Sequence, residues 1–251
     1  MSHSIAAPAA GLNKPLLILL AGRTFPEISR EQGDYPDWIA AGLGALLPLQ
    51  VLDARDMPCL PEPATLAGVV VSGSHAMVSD REDWSEHLAA WLRRCVGSEL
   101  PLLGICYGHQ LLAHALGGRV ADHPAGIEIG SREIALTAQA EQDLLFSGLP
   151  RHFPAQLVHY QSARELPEGA VVLARSEAEP HQAFRVGRHA WGVQFHPEFS
   201  PQAMAGYIRQ LRPGLDGAEV LLAGVRPTPE AASLLRRFAA LSKARERVGA
   251  F

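Results

Sequence analysis

A cysteine at position 106 lies between two glycines, in the sequence Gly104-Ile-Cys106-Tyr-Gly108, after a short aliphatic run and before a helical pattern. This order is typical of a nucleophile elbow, in which small neighbours let a strained turn project the nucleophile from a sheet edge. The start of a helix also favours a thiolate, because its free N–H groups and dipole stabilise negative charge. A buried core residue is the alternative, and we assign that role to Cys59 and Cys95. We predict that Cys106 is a nucleophile.

A histidine and a glutamate follow 90 residues later, as His196-Pro197-Glu198 at the end of the apolar run 190–195. Residues two apart on an extended chain face the same side, so the two side chains can point together, and Pro197 stiffens the backbone between them. A carboxylate beside an imidazole orients it and stabilises the imidazolium, as in a catalytic triad. Alone, His-Pro-Glu is also compatible with a surface turn. With the elbow, it predicts a Cys–His–Glu triad.

A third segment, Ser72-Gly73-Ser74-His75, ends another apolar run. Such a turn presents backbone N–H groups at the carboxyl edge of a sheet, where α/β folds bind ligands. Acyl chemistry at Cys106 needs donors for an oxyanion, and the N–H groups of Ser74 and Tyr107 are the candidates. The pattern is also compatible with a tight turn that binds nothing.

Other motifs are missing from the sequence. The eleven histidines form no HExxH motif, the cysteines form no Cys-x-x-Cys pair, and His109 and His114 are spaced poorly for one helical face, so we expect no metal site. The sequence has no Gly-x-x-x-x-Gly-Lys loop and no dinucleotide fingerprint. We therefore expect no cofactor, neither ATP nor NAD.

The elements that must position these residues alternate along the chain. Four short aliphatic runs, at 16–21, 49–54, 68–72 and 102–105, are typical of strands buried on both faces of a parallel sheet. Helical patterns separate them. This alternation predicts a doubly wound α/β fold with helices on both faces of a mostly parallel sheet.

Two helices have clear signals at their ends. Ser79 and Glu82 have the spacing of a capping box, and the apolar residues that follow share one helical face. They are Trp84, Leu88, Trp91, Leu92 and Cys95. The second helix follows Cys106 and is expected to end at Gly117-Gly118, since glycine is the usual residue beyond a helix C-terminus.

The pattern changes after residue 126. Shorter strands of antiparallel character are expected at 129–136, 156–161, 170–176 and 182–187. After Pro201 the chain is helical again, and Thr228-Pro229-Glu230 marks the start of a helix. We predict a loosely held N-terminus at 1–14, one α/β domain at 15–200 and a helical extension at 201–251 packed on that domain.

Composition narrows the class of protein. Of the 251 residues, 47% are hydrophobic and 19% are charged, which is typical of a globular chain with a sizeable core. The net charge is −4 and like charges form no block, so we expect no nucleic-acid partner. Three cysteines fit a reducing compartment. We see no secretory signal and no run long enough to span a membrane, and we expect a cytoplasmic location.

The motifs together resemble a known family. The segment Gly104–Gly118, the later Gln-Phe-His-Pro-Glu and the upstream Val-Val-Ser-Gly-Ser look like class I (triad-type) glutamine amidotransferases, with the amidotransferase domain of GMP synthase as the nearest type. The similarity covers roughly residues 15–200. It implies a flavodoxin-like fold and hydrolysis of glutamine to glutamate and ammonia.

The resemblance also implies roles for individual residues. Cys106 matches the family's nucleophile, His196 its acid/base and Glu198 the residue that orients the histidine. The oxyanion amides fall on Tyr107 and Ser74. The implied substrate contacts are Gly73, Gln110, His159 and Gln161.

The chain departs from the family pattern at two places. Val158-His159-Tyr160-Gln161 replaces a Ser-His-x-Asp segment, so that glutamine takes the place of aspartate. Ser74-His75 replaces the usual Gly-Pro. Both changes leave the triad intact but affect the side that receives substrate or acceptor.

We expect a glutamine-hydrolysing enzyme that forms a glutamyl thioester on Cys106. Ammonia is expected to pass to an acceptor or to a separate synthetase chain, because the sequence has no phosphate-binding loop and only 53 residues follow Glu198. Hydrolysis of γ-glutamyl amides or peptides by the same triad is the main alternative. A dienelactone-hydrolase-like esterase orders its acid before its histidine, unlike this chain. A non-catalytic regulatory protein is the last alternative.

Overall fold

The computed structural model describes residues 14–57, 59–214 and 217–248. Within these ranges the strands are β1 (Leu16–Leu20), β2 (Leu49–Asp53), β3 (Gly68–Val71), β4 (Leu102–Ile105), β5 (Arg119–Asp122), β6 (Glu128–Leu136), β7 (His152–His159), β8 (Gln161–Glu165), β9 (Val171–Arg175), β10 (Ala183–Val186) and β11 (Ala190–Val193). The α-helices there are α1 (Pro26–Gln32), α2 (Tyr35–Leu43), α3 (Asp83–Gly97), α4 (Tyr107–Ala115), α5 (Pro201–Leu211), α6 (Ala218–Ala223) and α7 (Pro229–Val248).

Five parallel strands form the centre of the molecule, in the order β2-β1-β3-β4-β11. This is the 2-1-3-4-5 order of flavodoxin-like folds, in which ligands bind at the carboxyl ends of the strands. The predicted α/β class and its mostly parallel sheet are confirmed. The carboxyl ends of β3, β4 and β11 lie side by side, because these strands are neighbours.

The antiparallel strands extend the same sheet beyond β11, in the order β10-β9-β6-β7. A separate two-stranded sheet pairs β5 with β8. The prediction of one strand at 156–161 is therefore wrong in part, since β7 ends at His159 and β8 begins at Gln161, with Tyr160 between them. The break occurs because β7 pairs with β6 in the large sheet whereas β8 turns away to pair with β5.

Successive residues of the central strands face opposite helical layers. Leu16, Ile18 and Leu20 of β1 pack in one buried cluster with α2, α5 and α7, and Leu17 and Leu19 pack in the other with α3 and α4. This division follows from the two-residue period of a strand. Both faces of the sheet are covered, which explains why the central strands are uninterrupted aliphatic runs.

The predicted capping box before α3 is wrong. The N-cap of α3 is Glu82, and no side chain caps this helix. Ser79 instead lies in a 3₁₀ turn at Val78–Asp80, and Arg81, which closes this turn, has a left-handed φ of +51°. The left-handed residue separates the turn from the helix, so Ser79 is too far from the first turn of α3 to cap it. The end of α4 is as predicted, with Gly117 at a φ of +97° just beyond it.

The C-terminal helices lie against the α/β unit. Helix α7 begins at Pro229 and packs on α2 and β7, with Leu234, Leu235 and Phe238 fully buried. The division of the chain at residue 200 stays a prediction, and residues 1–13 of the expected N-terminal segment lie outside the described residues. No helix in the described ranges is long and apolar enough to cross a membrane.

Candidate active site

Cys106 lies in the tight connection between β4 and α4, with a φ of +50° and a ψ of −97°. Such a conformation is strained for a residue with a side chain, and it is the strand-to-helix turn of a nucleophile elbow. The flanking glycines make the turn fit. A Cβ on Gly104 would lie 2.3 Å from the carbonyl oxygen of Gly108, and a Cβ on Gly108 would lie 2.7 Å from the carbonyl oxygen of Val71. The local geometry that the sequence predicted is therefore present.

The triad candidates come together at the carboxyl edge of the sheet. His196 and Glu198 follow β11, and Cys106 follows the adjacent β4. Nδ1 of His196 lies 2.7 Å from Oε1 of Glu198, and both side chains are buried. Nε2 of His196 has no hydrogen-bond partner among the described residues, and His196 and Cys106 line the same cavity.

The charge of His196 follows from its neighbours. Burial by itself lowers the pKa of an imidazole. Here the negative charges of Glu198 and of the Cys106 sulfur outweigh burial and raise the pKa of His196 to about 10. An imidazolium at His196 is therefore the favoured state near neutral pH.

Two aromatic rings hold the His196 ring in its plane. Phe199 stacks on it with ring centroids 4.1 Å apart, and Tyr35 stacks at 6.4 Å with planes only 12° apart. Gly73 lies against the same ring, because a Cβ there would be 3.0 Å from Cε1 of His196. Gly73 thus sits beside the histidine and is absent from the described residues that line the cavity. Sequence reasoning missed Tyr35, which has no motif around it.

The oxyanion candidates lie on the two loops beside Cys106. Tyr107 is the first residue of α4, where backbone N–H groups have no acceptor within the helix. Its side chain points away, since its hydroxyl lies 2.5 Å from Ser85 and its ring stacks on Trp84. Ser74 lines the cavity. Its hydroxyl accepts a hydrogen bond from the N–H of Ala76. The two backbone amides therefore stay candidates for this role.

Three of the expected substrate contacts, Gln110, His159 and Gln161, line the cavity, but many of their polar atoms already bind protein groups. Gln110 donates through Nε2 to the carbonyl of Gln161 at 2.7 Å and to Oε1 of Gln194 at 3.2 Å. Gln161 donates through its own Nε2 to Ser79 and Asp122. The amide of Gln161 thus braces the cavity wall.

His159 belongs to a second buried histidine–carboxylate pair. Its Nε2 lies 2.8 Å from Oε2 of Glu128, and its Nδ1 lies 3.0 Å from the carbonyl oxygen of Gln161. Both ring nitrogens of His159 are thus taken up by oxygen atoms of the protein. Although burial opposes it, the hydrogen bond and charge of His159 lower the pKa of Glu128. Sequence reasoning missed Glu128, which stands directly opposite His159 in the β6–β7 pairing.

The cavity above Cys106 has a volume of about 240 Å³. Its lining includes Gln110, Val158 and His159 together with several aromatic residues. No group of three or more His, Cys, Asp or Glu side chains in the described ranges could hold a metal ion. The arrangement suits covalent acyl transfer, with a nucleophile, a histidine oriented by a carboxylate, and amides at a helix start.

Comparison with known proteins identifies the family of the chain. The model of the family "Glutamine amidotransferase class-I" matches residues 52–211. A GMP synthase (glutamine-hydrolysing) of Thermomicrobium roseum is 37% identical over 182 residues, which cover 72% of this chain and 31% of that protein. Gamma-glutamyl peptidase 5 of Arabidopsis thaliana is 30% identical over 139 residues, which cover 55% of each chain.

A solved structure shares the fold over nearly the full length. The glutamine amido transferase of Methylobacillus flagellatus has a TM-score of 0.67 and 28% identity, and the match covers 94% of this chain and 95% of that one. The chain spans only about a third of the length of the GMP synthase that it matches.

Proposed function

The chain belongs to the class-I glutamine amidotransferase family, and from this premise we propose that it hydrolyses the γ-amide bond of glutamine with Cys106, His196 and Glu198. The observation that carries the proposal is the pairing of His196 with Glu198 through Nδ1. It leaves Nε2 without a partner among the described residues, in the cavity that holds Cys106.

The first half of the reaction forms a thioester. The Cys106 thiolate attacks the carbon of the γ-amide, and the N–H groups of Tyr107 and Ser74 stabilise the oxyanion. Collapse of the tetrahedral intermediate breaks the carbon–nitrogen bond. The nitrogen leaves as ammonia after it takes the proton from Nε2 of His196.

The second half releases glutamate. His196, now neutral, takes a proton from water, and the resulting hydroxide attacks the glutamyl thioester. The carbon–sulfur bond breaks, and Cys106 returns as a thiolate beside a protonated His196. Glu198 stays charged and orients the imidazole throughout, as the carboxylate does in other triads.

A covalent label tests the assignment of the nucleophile. We expect a glutamine-mimicking electrophile to add once to the protein, with the adduct on the peptide that contains Cys106. Cys59 and Cys95 are internal controls, since neither lies at an elbow. Cys95 is buried as expected, and burial raises its pKa, whereas Cys59 is exposed, so the expected core position of Cys59 is wrong. An adduct on either of these residues, or an unchanged adduct in Cys106→Ala, would contradict the proposal.

Ammonia release to a partner chain is part of the proposal. The GMP synthase relatives are named as glutamine-hydrolysing synthases, which supports a synthetase partner. We expect weak glutamate release by the pure protein and faster release after addition of cell extract. Full turnover that is independent of extract, in the range 1–10³ s⁻¹ common for enzymes, would show that no activating partner is needed.

Hydrolysis of γ-glutamyl peptides is a second candidate, because the same triad accepts either leaving amine. The aromatic residues that line the cavity favour this second candidate, as does the similarity to a gamma-glutamyl peptidase. Turnover of glutamine compared with that of γ-glutamyl dipeptides separates the two candidates.

A further inference from the structure

Three rings form one side of the cavity, and we call Phe25, His75 and Tyr207 the aromatic wall. The centroids of Phe25 and His75 are 4.4 Å apart, those of Phe25 and Tyr207 are 5.3 Å apart, and those of His75 and Tyr207 are 5.9 Å apart. Phe25 precedes α1, His75 follows β3 and Tyr207 lies on α5. Three separate parts of the chain thus converge on one apolar surface.

The hydroxyl groups behind the wall bind one another. The hydroxyls of Tyr35 and Tyr207 are 2.7 Å apart, and Thr24 donates to Tyr207 at 2.9 Å. Tyr35 and Tyr207 are each 2% exposed, whereas Phe25 is half-buried and His75 is exposed. The two outer rings are therefore open to a ligand while the inner ring is held in place.

Tyr35 connects the wall to His196, the residue proposed to protonate the leaving group, because it stacks on His196 and bonds to Tyr207. His196 must reach the departing nitrogen in order to protonate it. A substrate whose amine part lies toward His196 therefore has that part beside the aromatic wall.

Ammonia is too small to contact three rings, so glutamine alone leaves this surface unused. Aromatic groups favour contact with other rings and with apolar groups. Loss of water around the part of the His75 ring that packs on Phe25 and Tyr207, together with the positive charge of His196, lowers the pKa of His75, so its ring is neutral and suited to stacking. We propose that the cavity accepts γ-glutamyl amides whose leaving amine carries an aromatic group. This inference rests on the proposed function and specifies its substrate class.

Three substrates test the inference on the unmodified protein. These are glutamine, γ-glutamyl methylamide and γ-glutamyl benzylamide, where both alkylated leaving groups are primary amines and only benzylamine carries a ring. We expect kcat/KM for the benzylamide to exceed that for the methylamide by about tenfold, the effect of burying one aromatic side chain. Equal values for the two amides, or a preference for the methylamide, would overturn the inference.

Two variants locate the effect. Phe25→Ala and His75→Ala should each lower the benzylamide-to-methylamide ratio severalfold. Tyr160→Ala is the matched control, since Tyr160 is an aromatic residue that lines the cavity, is 45% exposed and lies outside the wall. Its ratio should stay unchanged. An unchanged ratio in both wall variants would overturn the inference, and the comparison on unmodified protein does not depend on how the variants fold.

Failure of the proposed function looks different from failure of the inference. If no γ-glutamyl compound is hydrolysed and Cys106 does not react with a glutamine-mimicking electrophile, both are overturned. If Cys106 reacts and glutamine is hydrolysed but the benzylamide has no advantage, only the substrate class is overturned. In that case the wall serves another purpose, such as contact with a synthetase chain.

Discussion

Two buried histidine–carboxylate pairs face the same cavity. Nδ1 of His196 lies 2.7 Å from Glu198, and Nε2 of His159 lies 2.8 Å from Glu128. The distances and the burial are alike, but the second nitrogen of each ring differs. That of His196 has no partner in the described part of the chain, whereas that of His159 donates to a backbone carbonyl.

The difference separates a residue that can move a proton from one that cannot. A general acid and base needs one nitrogen oriented by the protein and the other free for substrate. Only His196 meets this condition. Both nitrogens of His159 already bind oxygen atoms of the protein, so this ring is a fixed part of the cavity wall. Under the proposed function, His196 is therefore the acid and base, whereas His159 is part of the cavity wall.

Substitutions of His196 and Cys106 should have the largest effect. His196→Gln and Cys106→Ala should each lower kcat by about 10⁴-fold or more, and the double variant should resemble the single ones, because the residues act as a unit. His159→Gln should lose far less, since its ring transfers no proton. Glutamate release under saturating glutamine measures the difference. Equal losses from His196→Gln and His159→Gln would remove the distinction between the pairs.

Glu198→Gln sharpens the comparison further. The carboxylate orients His196 and bonds to no substrate atom, so the loss in kcat should be about 10–100-fold smaller than that of Cys106→Ala. Glu198 also raises the pKa of His196, so His196 in the variant loses its proton at a lower pH. The upper limb of the pH profile of kcat/KM should therefore move to lower pH. An unmoved limb would mean that Glu198 does not set the charge of His196.

A third buried histidine tests what happens without a carboxylate. Both ring nitrogens of His109 lack partners among the described residues, and burial lowers its pKa to about 3. As pH falls from about 6.5 toward 3, the unfolded chain gains a proton that the folded chain does not, so stability is lost. Between pH 7 and pH 4, the unfolding free energy of His109→Gln should therefore fall by about 3 kcal/mol less than that of the parent protein. Urea unfolding at both pH values measures this, and identical losses would contradict it.

Glu128→Gln should have the smallest effect and should act on binding. A neutral amide holds the His159 ring less strongly than a carboxylate does, so we expect KM for glutamine to rise by up to about tenfold, roughly the worth of one charged hydrogen bond. The value of kcat should change little, and the upper pH limb should stay in place. Glu133→Gln on the same strand is the control, because Glu133 is exposed and pairs with Arg226. A moved pH limb in Glu128→Gln would show that this pair also titrates in catalysis.

The sequence by itself predicted the features that depend on short spacings. The parallel strands follow from runs of aliphatic residues, and the elbow follows from glycines on either side of Cys106, where the structure leaves no room for a Cβ. His196 and Glu198 are two residues apart, so their contact was expected from the geometry of an extended chain. Local rules sufficed there because the partners are close in the chain.

The same local rules were wrong where a distant segment decided the outcome. Ser79 has the spacing of a helix cap, yet its hydroxyl accepts from the Gln161 side chain across the molecule. The strand expected at 156–161 breaks at Tyr160, because its two halves pair with different sheets. Propensity and spacing contain no information on which strand will be the partner.

Only the tertiary structure brought Glu128 to His159, Tyr35 to His196, and Phe25, His75 and Tyr207 to one another. These residues come from different strands, loops and helices, and no short motif connects them. Their contacts exist because two faces of one sheet bury their apolar residues against separate helical layers, which brings the loops at the strand ends together. The sequence determined the chemistry of the candidate triad, whereas packing across the sheet decided which ring can move a proton and what surrounds the substrate.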